Sequence, residues 1–356
     1  MTPDPEKLGL FAFRVFTKLE GAVTSGMIHL GDQLGLYRAL AEAGSPCTTA
    51  DLAAVTGLDE RWVREWAYNQ GAAQIIHLDG DEALSMSPEA VAVLASPDHP
   101  SFGMGMFHRL PQTMAALEEM PEAFRTGLGL NYDSHGREGA VGVERSFEPW
   151  NRANLLPVVL PALEGVETAL EAGALALDVG CGAGGAALLL ASRFPASRVV
   201  GYDISRFALE RARERQTEQQ VANVEFFDPR TVPLPTDGSA AFITTFDCLH
   251  DMTDPAAMAR AIRAALAESG TWLLVEIKAQ DTYAENVARN PMASLMYGIS
   301  ALSCMSSGLS EPGGAGLGTL GLSAAKVDQL AQAAGFSRCR QLDIDHAVNA
   351  FYELRP

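Results

Sequence analysis

Ala176-Leu-Asp-Val-Gly-Cys-Gly-Ala-Gly184 is an apolar strand running into a glycine-rich turn, with one carboxylate, Asp178, set just before the bend. Glycines 180, 182 and 184 let a backbone turn sharply out of a strand and approach a ligand where any side chain would collide. The following residues, Gly185 to Phe194, read as an apolar helix. The turn therefore joins the first strand and helix of an open parallel sheet, the place where such sheets bind nucleotides. Charge separates the candidate ligands. A dinucleotide rests its pyrophosphate on the helix N-terminus, where free amides favour an anion, and Asp178 works against that. A nucleoside that carries positive charge makes the same carboxylate an asset.

The next strand, Arg198 to Tyr202, ends in Asp203-Ile204, nineteen residues beyond Gly184. That is close to the spacing of about 20 expected for a ribose-binding acid. A third strand, Val224 to Phe227, ends in Asp228, placed to accept from an adenine amino group while Phe227 packs on the ring. With LDVGCGAGG, GYDIS and FFD in this order, the chain resembles the SAM-dependent methyltransferases with a Rossmann-like fold. The resemblance implies an α/β domain with a mostly parallel seven-stranded sheet and helices on both faces. It also implies S-adenosyl-L-methionine (SAM) as cofactor, S-adenosyl-L-homocysteine (SAH) as product, and a binding set of Asp178, Gly180, Cys181, Gly182, Gly184, Asp203, Ile204, Phe227 and Asp228. The plain alternative is a turn that only packs strand on helix, with Asp203 and Asp228 as solvated strand ends.

At 356 residues the chain calls for two domains, and 47% hydrophobic residues suffice for packed cores. No run approaches a membrane span, and the opening MTPDPEKLG lacks the basic-then-apolar layout of a signal peptide, so a cytoplasmic protein is expected. The five cysteines form no C-x-x-C pair, which suggests reduced, mostly buried thiols and no metal site. A net charge of −18 repels phosphate backbones and argues against nucleic acid as substrate.

Residues 5 to 44 carry helical apolar spacing (Leu8, Phe11, Val15, Phe16, Leu19, then Leu30, Leu34, Leu36, Leu40), with a break expected near Gly21. Thr48 to Val55 and Asp59 to Gly71 flank a turn at Thr56-Gly57, and a hairpin with its turn at Asp79-Gly80-Asp81 follows, so residues 1–100 resemble a winged helix. This region holds six Lys and Arg against fourteen Asp and Glu. A structural or dimerising fold with a buried Trp62/Trp66 face is therefore expected over DNA binding, and a homodimer is what the family resemblance implies. Residues 101–165 read as a helical connector roofing the cleft, and residues 166–356 as the SAM-binding domain, with a cap insertion over 278–323 rich in methionine and glycine.

The fourth strand runs into Cys248-Leu-His-Asp-Met252, which sets His250 and Asp251 at the carboxyl end of the sheet, and the fifth ends in Val275-Glu276-Ile277. A histidine beside a carboxylate is the usual general base with its orienting partner. CLHDMTD and LLVEIKAQD resemble two motifs of the winged-helix small-molecule O-methyltransferases, which implies His250 as base and Glu276 as its orienter. A second orienting Glu, expected by that resemblance near Gly316 to Leu322, is missing. The expected reaction is methyl transfer to a small organic acceptor, foremost at a hydroxyl oxygen. The competing readings are a SAM-binding transcriptional regulator or silent SAM sensor, and an NAD-dependent oxidoreductase. The last is disfavoured by Asp178 and by Gly-x-Gly-x-Gly in place of Gly-x-Gly-x-x-Gly.

Overall fold

Asp4 opens the first helix, α1 (Pro5–Gln33): its carboxylate accepts from the amides of Glu6 and Lys7, and Pro5 needs no amide partner at the first helical position. The computed structural model describes residues 2–80 and 82–356, and the chain divides into two compact units, Met1–Pro111 and Gln112–Pro356. In the first unit, α1 passes through Gly21 without the expected break. One glycine weakens a helix by only about 1 kcal/mol. The chain turns instead at Gly35, whose φ of 72° lies in the left-handed region.

Helix α2 (Leu36–Ala43) follows, then α3 (Thr49–Thr56), begun by a capping box between Thr48 and Asp51, and α4 (Glu60–Ala72), capped by Asp59. Strands β1 (His77–Leu78) and β2 (Leu84–Ser85) pair antiparallel as the expected hairpin, whose turn residue Asp81 lies outside the described residues. Trp66 is buried among Ile28, Tyr37, Leu52 and Val63 and donates its indole N–H to the Met27 carbonyl. Trp62 is 79% exposed, so the buried tryptophan face is one residue rather than two. Helical spacing sets a side chain's direction but does not supply the neighbour that would cover it.

The second unit starts with residues 112–135 and α5 (Gly136–Asn154), then alternates β3 (Leu175–Val179), α6 (Gly185–Arg193), β4 (Arg198–Tyr202), α7 (Arg206–Gln219) and β5 (Val224–Phe227). There follow β6 (Ala240–Phe246), α8 (Pro255–Ala265), β7 (Leu266–Ile277), α9 (Ala324–Ala334), β8 (Arg338–Gln341) and β9 (Asn349–Arg355). The seven strands lie in the order β5-β4-β3-β6-β7-β9-β8; the first five are parallel, and β9 runs antiparallel to both its neighbours. Two apolar cores flank the sheet, which explains why its central strands read as continuous apolar runs. β7 starts earlier than its apolar run, because its pairing with β6 shifts register beyond Ala240↔Leu266 and resumes at Phe242↔Thr271.

β3 bonds to β4 on one side and β6 on the other. Strand order reverses there, and a crevice opens at the carboxyl ends, where ligands bind in such sheets. The glycine turn leaves β3 at this point, with φ of 71°, 53° and 77° at Gly180, Gly182 and Gly184. A Cβ on Gly184 would also stand 2.7 Å from the Phe226 ring. Gly184→Ala is therefore expected to lose about 1–3 kcal/mol of stability by overpacking and backbone strain, read by chemical denaturation. An unchanged midpoint would show that the turn relaxes freely.

Candidate active site

Gly182 is the one turn glycine of the three whose added Cβ would meet no described protein atom within 4 Å, so the backbone there faces open space. Its amide donates to Asp203 Oδ2 at 2.8 Å, and Ser205 N–H donates to Oδ1 at 2.8 Å. Both carboxylate oxygens are thus aimed by backbone donors, with lone pairs to spare. Burial pushes the Asp203 carboxyl up to about 6 against the pull of those two amides. Asp178 is 1% exposed and lies beneath the turn, accepting from Thr244 Oγ1 at 2.7 Å; burial pushes its carboxyl up to about 6 too. Cys181 is buried, its Sγ close to Gly201.

At the ends of β4 and β5, Ile204 is 46% exposed and Phe227 stands 6.4 Å, centroid to centroid, from Tyr202. Asp228 is held by Arg230, whose Nε and Nη2 reach its oxygens at 2.7–3.1 Å while Nη2 also donates to the Ile204 carbonyl at 2.7 Å. The side-chain hydrogen bond from Arg230 holds the Asp228 carboxyl below its ordinary value. The sequence reading placed Asp228 as an acceptor and missed the arginine two residues on that shares it.

Arg215 was missed as well. Its side chain, 4% exposed, donates from Nη1 to the Ala183 carbonyl in the glycine turn at 2.9 Å, and from Nη2 reaches Glu148 Oε1 on α5 at 2.7 Å. Nothing in the sequence separates it from the other charges of α7, since its burial comes from α5 packing over it. Arg215→Lys keeps the charge and loses the guanidinium fork, so stability should fall by about 1–2 kcal/mol. Thermal unfolding checks this, and a melting point equal to wild type would remove the pin.

Leu249–Asp251 is a single helical turn directly after β6, which turns His250 back toward the end of β7. There His250 Nδ1 lies 2.6 Å from Glu276 Oε2, while Glu276 Oε1 accepts from the amides of Leu249 at 3.0 Å and His250 at 3.3 Å. Both residues are 1% exposed. With Nδ1–H donating to Glu276, Nε2 is the basic nitrogen. Burial disfavours the imidazolium, but the Glu276 carboxylate and a hydrogen bond with Cys304 more than offset it, leaving His250 well above its ordinary 6.5. Cys304 comes from the insertion, in the π-helical turn Ser300–Cys304, and the Ala315 amide of the same insertion donates to the Thr253 carbonyl at 2.8 Å. Cys304 is only half-buried, as are Cys47, Cys248 and Cys339, so the thiols are less buried than expected: Cys181 alone of the five is fully so. Cys339 lies on the edge strand β8, open on one side.

Asp247, between β6 and this turn, adopts a left-handed φ of 45° and receives Asn349 Nδ2 at 2.5 and 2.6 Å. Burial, with Glu276 nearby, pushes its carboxyl up to about 7. A strained non-glycine backbone beside two ionisable groups is characteristic of a functional site.

Comparison with known proteins covers the same part of the chain. Residues 170–335 match the family model of a methyltransferase domain. Residues 22–96 match the Rv2258c-like winged HTH domain. Trans-aconitate 2-methyltransferase of Methylobacterium radiotolerans is 32% identical over 168 residues, 46% of this chain, and the alignment spans 59% of that relative's length. Mitomycin 7-O-methyltransferase MmcR has a TM-score of 0.64 at 19% identity, over 99% of this chain and all of that one. Human N-acetylserotonin methyltransferase in complex with SAM gives 0.70 at 18%, over 99% and 98%. At such identities these structures show a shared fold. The matched range holds every site residue predicted from sequence, with Asp203, Gly182 and the Asp228–Arg230 pair at the ends of β3, β4 and β5 and the His250–Glu276 pair at the ends of β6 and β7. Among the described residues, no helix is long and apolar enough to cross a membrane.

Proposed function

We propose that this protein transfers the methyl group of SAM to a hydroxyl oxygen of a small organic acceptor, with His250 as general base. The observation that carries the reading is the 2.6 Å contact of His250 Nδ1 with Glu276 at the carboxyl ends of the strands. The residues fit the cofactor: a bare Gly182 backbone lets a ligand approach, and Asp203 offers oriented acceptors to a ribose. When bound, SAM supplies an electrophilic methyl group on a sulfonium. Asp203 and the Asp228–Arg230 pair would hold the nucleoside, while Asp178 adds negative charge behind the turn. His250 Nε2 would take the hydroxyl proton, and Glu276 would stabilise the imidazolium formed. The acceptor hydroxyl would take the place of the Cys304 thiol beside His250.

Calorimetric titration with SAH and with NAD tests the cofactor, and SAH release from SAM over a panel of small hydroxylated acids and phenols tests the reaction. SAH binding with NAD silent is expected; the reverse would overturn the reading. A regulator is disfavoured by the acidic balance of residues 1–100, where fourteen carboxylates face six basic side chains.

The same proposal includes a homodimer in the cytoplasm. Leu8, Phe11, Phe13, Phe16 and Leu19 of α1 are 54–71% exposed, an apolar surface suited to a second copy. All five cysteines are free thiols, which suits a reducing compartment.

A further inference from the structure

Asp133 sits in the short 3₁₀ turn Tyr132–His135 that leads into α5, outside every motif named above. Its Oδ1 is buried and has no hydrogen-bond partner among the described residues, while Oδ2 stands 3.9 Å from Arg206 Nε. A buried carboxylate oxygen without a donor is an uncommon and unfavourable state that calls for an explanation. Arg206 opens α7 three residues beyond Asp203, which sets Asp133 beside the end of β4, and its charge bears on Asp203 and Arg230. Those two stand at the carboxyl ends of β4 and β5. Two neighbouring carboxylates repel until something with hydrogen-bond donors comes between them. A sugar with adjacent hydroxyls has that chemistry, and it is what Asp203 is aimed to receive.

An ammonium group is the competing donor. It would belong with the amino-acid half of the cofactor, beside the glycine turn and Asp178 at the end of β3. Asp133 is tied instead to Arg206, at the start of the helix that follows β4. Placement therefore favours the nucleoside half.

Resting on the SAM reading above, we propose that Asp133 is a second nucleoside-binding carboxylate, which accepts from a ribose hydroxyl opposite Asp203 and so brings the Tyr132–His135 turn down over the cofactor.

The test compares wild type, Asp133→Asn and Asp133→Ala for SAH and for 5′-methylthioadenosine, which keeps the nucleoside and lacks the amino acid. Asp133→Ala should weaken both ligands by about 10-fold, the loss of one hydrogen bond to a charged group, and Asp133→Asn, which keeps one acceptor oxygen, by less. Melting temperatures of the ligand-free variants at or near wild type show that folding is not the cause. Wild-type affinity for SAH in Asp133→Ala overturns the proposal. So does a loss confined to SAH with 5′-methylthioadenosine unaffected, since that would put Asp133 at the ammonium. If wild-type protein binds neither ligand, it is the SAM reading itself that fails.

Discussion

Replacing His250 by Ala should lower turnover by about 10²- to 10⁴-fold, the range of a positioned general base, with SAH affinity unchanged. The separation of effects follows from the geometry. His250 and Glu276 bond to each other and to the turn at Leu249, whereas the contacts of Asp203 lie at Gly182 and Ser205. The pH dependence has a definite sign. A base works when neutral, and Glu276 favours the charged imidazole, so activity should rise with pH along a limb lying above the ordinary 6.5. Glu276→Gln removes that charge and should move the limb toward acid while lowering the plateau. Single-turnover rates across pH, once an acceptor is in hand, provide the measurement. Full activity in His250→Ala would take the histidine out of the mechanism.

Asp203→Ala is expected to weaken SAH by about 100-fold, through the loss of charge-assisted hydrogen bonds worth about 1.5–3 kcal/mol each. The substitution also strands the Gly182 and Ser205 amides, so the turn loses its anchor together with its ligand contact. A pH effect accompanies it. With the carboxyl raised to about 6, the stability that Asp203 contributes is complete below its ordinary 3.8 and is lost as pH climbs through 6. SAH binding in wild type should strengthen over that same window as the carboxylate forms, and Asp203→Asn should flatten this dependence. Calorimetry at several pH values decides it, and affinity within threefold of wild type in Asp203→Ala would remove Asp203 from the site.

What could be read along the chain were features of period and local chemistry. The sequence bounds of β4 and β5 matched the observed ones to the residue: β4 is buried on both faces and leaves a continuous apolar run, whereas β5, at the sheet edge, alternates around an exposed Glu225. The spacing of His250 and Glu276 placed both at strand ends but could not show contact; the single turn at Leu249–Asp251 is what brings them to 2.6 Å. Arg215, Arg230, Cys304 and Asp133 carried no signal because each acquires its role from an element distant in sequence or from a carbonyl on a neighbouring strand end.

By itself, then, the order of residues determined the turn, the acids closing three strands and the alternation of strand and helix, because these depend on neighbours a few positions away. Only the folded chain decided which carboxylates meet which donors and which thiol covers the imidazole. Such pairings depend on burial, and burial is set by packing among elements far apart in the chain.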